Sequence, residues 1–213
     1  MPAATDTVND TPAAPVSSAL VSIDTRVDIG HVHLKVADLD RSITFYRDVL
    51  GFELHQRMGE QAAFLSAGGY HHHIGLNTWE SRGGSPPPQG TTGLFHVAIR
   101  YPDRATLGDA LRRLVEVGWP LEGASDHGVS EALYLRDPDD NGVELYRDRA
   151  REEWPRDPEG EIAMFTAPLD LQSLLSEAAE ASLAVPASGR ADSVRASVGN
   201  DRSTRLQSIR GDL

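Results

Sequence analysis

The stretch His31-Val-His-Leu-Lys-Val-Ala-Asp38 has a counterpart in the second half of the chain, His96-Val-Ala-Ile-Arg-Tyr-Pro-Asp103. Both copies alternate apolar and polar residues, as a half-buried strand does. Both reach an Asp that can cap a following helix. The repeat therefore predicts two modules of the same fold, each opened by a strand that carries a histidine near its start.

Each copy continues with an amphipathic helix and three further strand candidates. The helix candidates are residues 39–50 and 104–117, each followed by a glycine, Gly51 or Gly118, that suits a left-handed C-cap. The strand candidates are residues 29–36, 52–56, 61–66 and 72–79, then 94–101, 120–122, 131–136 and 142–147. This order predicts an α+β fold of two tandem βαβββ modules. Because each module has one curved sheet face to cover, we expect an eight-stranded, partly closed barrel.

Composition predicts the domain boundaries. Residues 1–26 are rich in Ala, Pro, Thr, Ser and Asp, which leaves little apolar surface to offset the entropy of ordering, so we expect a disordered arm. Residues 27–165 contain the folded domain, with modules at about 27–80 and 93–150. Residues 166–213 begin with an apolar helical stripe and end in a second tail for which we expect disorder.

Charge and cysteine content exclude several classes of protein. The net charge of −12 disfavours a nucleic-acid binder, which needs a basic surface, and equally disfavours docking to an anionic membrane. Cysteine is absent, so disulfides, thiolate metal sites and cysteine nucleophiles are excluded. We find no apolar run long enough for a membrane span and no signal-peptide pattern, and we expect a cytoplasmic location.

Three residues form a candidate metal site. His31 and His96 occupy equivalent places in the repeat, and Glu144 lies within the apolar strand candidate 142–147. A carboxylate in such a strand is costly unless it is paired, protonated or bound to a metal. Two imidazoles and one carboxylate with open positions are typical of a non-haem iron(II) site.

The repeat also selects between neighbouring histidines. His96 aligns with His31, whereas His33 aligns with Ala98, so we expect His31 to be the ligand and His33 to line the cavity. The counterpart of Glu144 in the first module falls near Gly75, which has no ligating atom. Duplication thus predicts three protein ligands and an empty fourth place, and catalysis requires such open coordination.

Several motifs together resemble the vicinal oxygen chelate superfamily, which includes glyoxalases, extradiol dioxygenases, and fosfomycin and bleomycin resistance proteins. The resemblance covers about residues 27–150. Its carriers are Gly30-His-Val-His-Leu-Lys-Val-Ala-Asp38, Arg41-Ser42, Phe45-Tyr46, Leu50-Gly-Phe52, Leu94-Phe-His-Val-Ala-Ile99 and Asp137-Pro-Asp139 with Glu144.

Within that superfamily the chain is most similar to small catechol 2,3-dioxygenase-like proteins. Tyr70-His-His-His-Ile-Gly-Leu76 resembles the dioxygenase strand that carries a histidine beside the bound oxygen, here His72. His127 and Tyr134 match a histidine and a tyrosine that contact the substrate oxygens. Turn chemistry also explains a histidine before Gly128, and packing also explains a tyrosine within a strand.

The resemblance implies a catechol-type aromatic diol and O2 as substrates. It implies Fe(II) as the cofactor, with Mn(II) as an alternative, and a homodimer or higher homo-oligomer. His33, Phe64, Trp79 and Trp119 are candidates for shaping the pocket.

Two other functions stay open at this point. One is a glyoxalase-type lyase or isomerase with Zn(II) or Ni(II), although that resemblance calls for Glu or Gln ligands where this chain has His31 and residues 71–75. The other is a non-catalytic drug-binding resistance protein, which does not need the metal triad.

Overall fold

Residues 22–184 are described by the computed structural model, and each module in it has one helix and four strands in the predicted order. The first module contains strand β1 (Val32–Lys35), helix α1 (Leu39–Thr44) and strands β2 (Glu53–Met58), β3 (Ala62–Ser66) and β4 (Ile74–Asn77). The second module contains β5 (Val97–Arg100), α2 (Arg104–Val117), β6 (Gly123–Asp126), β7 (Ser130–Arg136) and β8 (Gly142–Asp148). A short strand β9 (Ala167–Pro168) and helix α3 (Leu171–Ala184) follow.

Both predicted helices form, and local chemistry sets their ends. The Asp38 carboxylate accepts a hydrogen bond from the Arg41 amide at 3.0 Å, which caps α1. The helix continues as a π-helical segment, Phe45–Val49, before the chain turns at Gly51 with a φ of 89°. Helix α2 ends at Gly118 with a φ of 70°, so both glycines adopt the predicted left-handed conformation.

The strands form two separate mixed sheets, and the expectation of a partly closed eight-stranded barrel was wrong for the single chain. The strand orders are β1-β4-β3-β2 and β5-β8-β7-β6-β9. Strands β1 and β5 each lie at the edge of their own sheet, and no ladder joins them in the described residues. A barrel requires the two edges to pair, and here the modules instead meet through side chains of α1 and the β7–β8 hairpin.

A partly buried cluster of polar contacts around Asp139 links the two modules. Asp139, in the β7–β8 hairpin, accepts hydrogen bonds from the Ala37 amide at 3.0 Å and the Ser42 hydroxyl at 3.1 Å, and it pairs with Arg41. Nearby, the Tyr46 hydroxyl donates to Asp137 at 3.1 Å. The hairpin of the second module therefore holds the N-terminus of the first module's helix.

Aromatic packing continues this contact into the interior. The rings of Phe45 and Trp119 are 4.7 Å apart, and the Trp119 indole donates to the Arg136 carbonyl at 2.9 Å. Trp119 therefore packs between the modules instead of on an open sheet face. Apolar side chains of both modules belong to one continuous core.

The C-terminal segment packs onto the second module. Helix α3 lies on α2, where Leu174 is fully buried and its carbonyl lies against Gly108. Strand β9 pairs with β6. Strand β6 starts at Gly123, whereas the predicted strand 120–122 started three residues earlier. Pro120 has no amide to donate, and the first backbone hydrogen bond to β7 is made by the Glu122 amide.

The two tails fall mostly outside the described part of the chain. Residues 1–21 and 185–213 lie beyond it, and the expected disorder there stays a prediction. Residues 22–26 include a turn in which Arg26 pairs with Asp24. Within residues 22–184, no helix combines the length and the apolar character that crossing a bilayer requires.

Candidate active site

One group of predicted site residues lies on the second sheet. Strand β8 runs between β5 and β7, and its register places Glu144 beside Ala98 on one side and Tyr134 on the other. His96 lies immediately before β5, and its Nε2 is 3.0 Å from Glu144 Oε2. The fold thus brings together two of the three predicted metal ligands.

The separation of these two atoms suits a shared metal ion. Two ligand atoms that lie about 2.1 Å from one ion and at right angles to each other are about 3 Å apart. The Glu144 side chain is 13% exposed and the His96 side chain 32% exposed, so the pair is partly accessible to solvent. The other ring nitrogen of His96, Nδ1, is buried and has no hydrogen-bond partner within residues 22–184. Nε2 is therefore the nitrogen of His96 that fits metal binding.

The two predicted catalytic residues of the second module extend this pair into a chain of hydrogen bonds. The Tyr134 hydroxyl is 3.1 Å from Glu144 Oε1 and 2.7 Å from His127 Nε2. Tyr134 lies in β7, and His127 lies in the turn between β6 and β7. Tyr134 therefore contacts the candidate ligand Glu144 directly, and His127 reaches it through the Tyr134 hydroxyl.

Tyr134 keeps its proton in this setting. Burial raises the pKa of Tyr134 to about 12, and the neighbouring Glu144 carboxylate contributes to the same shift because a phenolate beside it would add a second negative charge. The phenol is therefore a hydrogen-bond donor over the range in which enzymes ordinarily work. A neutral donor of this kind can stabilise negative charge that develops on a substrate oxygen.

The remaining predicted site residues form a second group on the first sheet. The ring centroids of His31 and His72 are 4.4 Å apart, and His71 Nδ1 is 2.7 Å from His72 Nδ1. Burial lowers the pKa of His72, and the surrounding imidazoles, His31 first, lower it further. A neutral His72 beside the predicted ligand His31 agrees with the role expected for a histidine near a metal.

The two sheets carry equivalent rows of residues, which the repeat predicted in part. On the first sheet Gly75 pairs with His33 and with Phe64, as Glu144 pairs with Ala98 and with Tyr134 on the second. The predicted correspondence of Glu144 with Gly75 is confirmed by this register. The structure adds that Phe64 is the counterpart of Tyr134.

The equivalent row of the first sheet is aromatic. The His33 imidazole lies across Gly75, where an added Cβ would be 3.0 Å from the ring. Its ring centroid is 5.5 Å from Trp79 and 6.0 Å from Phe64, and the Phe64 ring is 5.0 Å from that of His72. These rings form a continuous surface between His31 and Trp79, which we call the aromatic row.

The two groups remain apart within a single chain. No hydrogen bond, ion pair or ring contact in residues 22–184 joins His31 or His72 to His96 or Glu144. Among those residues, no three His, Asp or Glu side chains are placed to hold one metal ion. The complete triad of His31, His96 and Glu144 therefore stays a prediction, while its second-sheet part is assembled.

The structure also reveals contacts that sequence reasoning missed. Phe165, outside the repeat, accepts a hydrogen bond at its carbonyl oxygen from His127 Nδ1 at 3.0 Å. A backbone carbonyl leaves no trace in a sequence pattern. The contact of His72 with His71, by contrast, lies within the run of three histidines that the sequence singles out.

Comparison with known proteins shows the family of the chain. A family model described as the glyoxalase/bleomycin resistance protein/dioxygenase superfamily matches residues 28–145. The chain belongs to this superfamily. The match includes both halves of the candidate site, from His31 to Glu144, and it ends before the segment that contains Phe165.

Individual superfamily members give a finer comparison. Catechol-2,3-dioxygenase from Bacillus subtilis (strain 168) is 44% identical over 162 residues, which cover 76% of this chain and 55% of that protein. Manganese-dependent 2,3-dihydroxybiphenyl 1,2-dioxygenase from Geobacillus genomosp. 3 is 31% identical over 62% of this chain and 39% of that protein. The chain thus spans about half the length of these curated relatives.

A solved structure shares the fold. A glyoxalase/dioxygenase from Nostoc punctiforme superposes with a TM-score of 0.51 over 62% of this chain and 99% of that one, at 18% sequence identity. At this identity the likeness concerns the fold alone.

Proposed function

We propose that the protein is a metal-dependent extradiol dioxygenase that cleaves the ring of a catechol-type aromatic diol with O2. The observation that carries the proposal is the chain of contacts from His96 through Glu144 and Tyr134 to His127. It combines two atoms spaced as metal ligands with a phenol and an imidazole that can act on substrate oxygens. The dioxygenase relatives support the same reaction class.

The metal would be held by His31, His96 and Glu144. Two neutral nitrogens and one carboxylate suit Fe(II), and we propose iron, with Mn(II) as the alternative that one relative's name suggests. When bound, such an ion supplies open positions for the two diol oxygens and O2 and allows electrons to pass between them. Zn(II) or Ni(II) would instead suit the glyoxalase alternative.

The protein side chains would bind and orient the diol and move its protons. Tyr134 donates a hydrogen bond toward a ring oxygen, which stabilises negative charge there. His127 exchanges a proton through Tyr134, since its Nε2 lies 2.7 Å from the phenol oxygen. His72 lies beside His31 as a neutral base on the opposite side of the proposed site.

We further propose that a complete site forms between two copies of the chain. Strands β1 and β5 begin directly after the candidate ligands His31 and His96, and within residues 22–184 each has one edge without a partner strand. Exposed apolar side chains flank these edges: Ile29 is 90% exposed and Phe95 is 79% exposed. Unpaired edges beside apolar surface favour association. Pairing of β1 with β5 of a second copy would bring His31 to His96 and Glu144.

The aromatic row would then face the substrate. His33, Phe64 and Trp79 present ring faces and edges next to His31, and stacking on such rings favours a planar aromatic ligand. This surface supports an aromatic diol over a small aliphatic substrate.

Anaerobic reconstitution tests the proposed reaction. Metal-free protein is loaded with Fe(II) or Mn(II), catechol is added, and the solution is opened to air. We expect a yellow ring-fission product, and we expect Glu144→Ala to abolish it. His55→Ala is a matched control, because His55 lies on β2 beside Glu53 and away from both halves of the site.

Two outcomes would contradict the proposal. One is the absence of product with both metals and with several substituted catechols. The other is a zinc or nickel form that isomerises a hemithioacetal while the iron form leaves catechols unchanged, which would favour the glyoxalase alternative.

A further inference from the structure

The segment after the second module touches the candidate active site at Phe165 and Thr166. Phe165 lies beyond residues 28–145, the part of the chain that matches the superfamily. Its carbonyl oxygen is 3.0 Å from His127 Nδ1, and its amide donates to the His127 carbonyl at 3.3 Å. The backbone of Phe165 therefore contacts both the side chain and the main chain of His127.

Packing holds this segment in place. Strand β9, two residues after Phe165, pairs with β6 through Ala167 and Asp126. The Phe165 ring and Pro155 lie against Gly128, where an added Cβ would be 2.5 Å and 2.8 Å from them. Gly128 has a φ of 76° and its amide donates to Asp126 at 2.8 Å. The position of the Phe165 carbonyl is thus fixed by several independent contacts.

A carbonyl oxygen can only accept a hydrogen bond, so this contact requires a proton on His127 Nδ1. In a neutral imidazole the other nitrogen is then bare. That nitrogen, Nε2, is the one that lies 2.7 Å from the Tyr134 hydroxyl. The contact with Phe165 therefore determines which nitrogen of His127 is free to take a proton.

The single phenolic proton of Tyr134 has two acceptors in this arrangement. When His127 is neutral, the Tyr134 hydroxyl donates this proton to His127 Nε2. No proton then lies between the hydroxyl and Glu144 Oε1, 3.1 Å away. With a proton added to Nε2, His127 donates to the phenol oxygen, and Tyr134 donates to Glu144. One added proton on His127 thus reverses the direction of the phenol.

The geometry points to a positioning role for Phe165, which rests on the proposed function. Its backbone carbonyl holds His127 in the Nδ1–H form, so that Nε2 exchanges protons with Tyr134 and, through it, with the substrate side of the site. The segment beyond the superfamily match is in this way a part of the active site through the backbone of Phe165.

Thr166 offers a competing explanation. Its hydroxyl oxygen is 3.3 Å from His127 Nδ1 and can donate as well as accept. If Thr166 donated, Nδ1 would be bare and Nε2 would carry the proton. Thr166→Val removes that donor and leaves the Phe165 carbonyl in place.

The test is nitrogen NMR of histidine-labelled, metal-free, full-length protein at about pH 9, where imidazoles are ordinarily neutral. His127→Gln identifies the His127 signals. We expect a protonated-type shift for Nδ1 and an unprotonated-type shift for Nε2, both in the wild type and in Thr166→Val. Neither measurement needs catalytic activity, so a failed dioxygenase assay leaves this test valid.

Three results would overturn the inference. They are a proton on Nε2 in the wild type, a proton on both nitrogens at that pH, and a change of the protonated nitrogen in Thr166→Val. As a functional arm, Gly128→Ala displaces Phe165 and is expected to lower turnover about tenfold with unchanged metal content. An unchanged turnover in a folded Gly128→Ala protein would show that the Phe165 contact has no role in the reaction.

Discussion

A mixing experiment distinguishes a site shared between two copies from a site within one chain. His31→Ala removes the first-sheet ligand, and Glu144→Ala removes the second-sheet ligand. Each variant alone should lack ring-cleaving activity. Within residues 22–184 these residues lie on different sheets that no strand pairing joins. A mixed dimer therefore keeps an intact His31 in one copy and an intact pair of His96 and Glu144 in the other.

The expected recovery follows from symmetry. Random exchange of subunits makes about half of the dimers mixed, and each mixed dimer has one complete site of two. Mixing equal amounts of the two variants should therefore restore about a quarter of the wild-type rate of ring-fission product formation, measured by absorbance. Native mass spectrometry of a size-tagged pair verifies that exchange has occurred.

The chain supplies a matched negative control. His96 and Glu144 belong to the same half of the site, with Nε2 and Oε2 3.0 Å apart. A mixture of His96→Ala with Glu144→Ala leaves every site without one ligand and should stay inactive. If the His31→Ala and Glu144→Ala mixture also stayed inactive after verified exchange, the shared site would be refuted.

Three further predictions concern the structure around the site. Glu131→Gln should lower the free energy of unfolding by about 3–5 kcal/mol in urea titrations, because Glu131 is 4% exposed and pairs with Arg104, Arg147 and Arg149. Glu122→Gln breaks the exposed pair of Glu122 with Arg136 and should cost only about 0–1 kcal/mol; equal costs for the two variants would contradict this view. Burial raises the pKa of Asp137 in the folded protein. The stability that its protonated form contributes is therefore complete below the pKa of about 3.9 in the unfolded chain, and it is lost as pH rises through the higher pKa of the folded state. Asp137→Asn should therefore cost more stability at pH 4 than at pH 8, and the reverse order would exclude a raised pKa. Gly142→Ala should weaken Fe(II) binding about tenfold by calorimetry, since its Cβ would collide with the Phe95 carbonyl and lie 3.0 Å from His96 Cβ; Gly69→Ala, which has open space around it, should bind as the wild type does.

Local patterns allowed much of the fold to be predicted. Helix α2 has the predicted bounds, and Gly51 and Gly118 end their helices as expected, because capping and left-handed turns depend on a few adjacent residues. The correspondence of Glu144 with Gly75, and of Ala98 with His33, was readable because a repeated strand order repeats its register.

Other features could not be read from local patterns. The expected barrel depends on whether the edges of β1 and β5 pair within one chain or with a second copy. Both pairings use the same backbone hydrogen bonds, so the sequence does not distinguish them. Trp119 was expected near the pocket, but its ring packs on Phe45 between the modules. The role of Phe165 depends on a backbone oxygen, which has the same chemistry at every residue.

The amino-acid sequence alone determined the candidate donors and their grouping by module, because imidazole, phenol and carboxylate chemistry belongs to the side chain and the duplication aligns the strands that carry them. Tertiary structure decided which donors meet. It brings His96, Glu144, Tyr134 and His127 into one chain of contacts and leaves His31 and His72 on the other sheet. The physical reason is that strand register and module packing, which depend on many distant contacts at once, set the distances between side chains far apart in sequence.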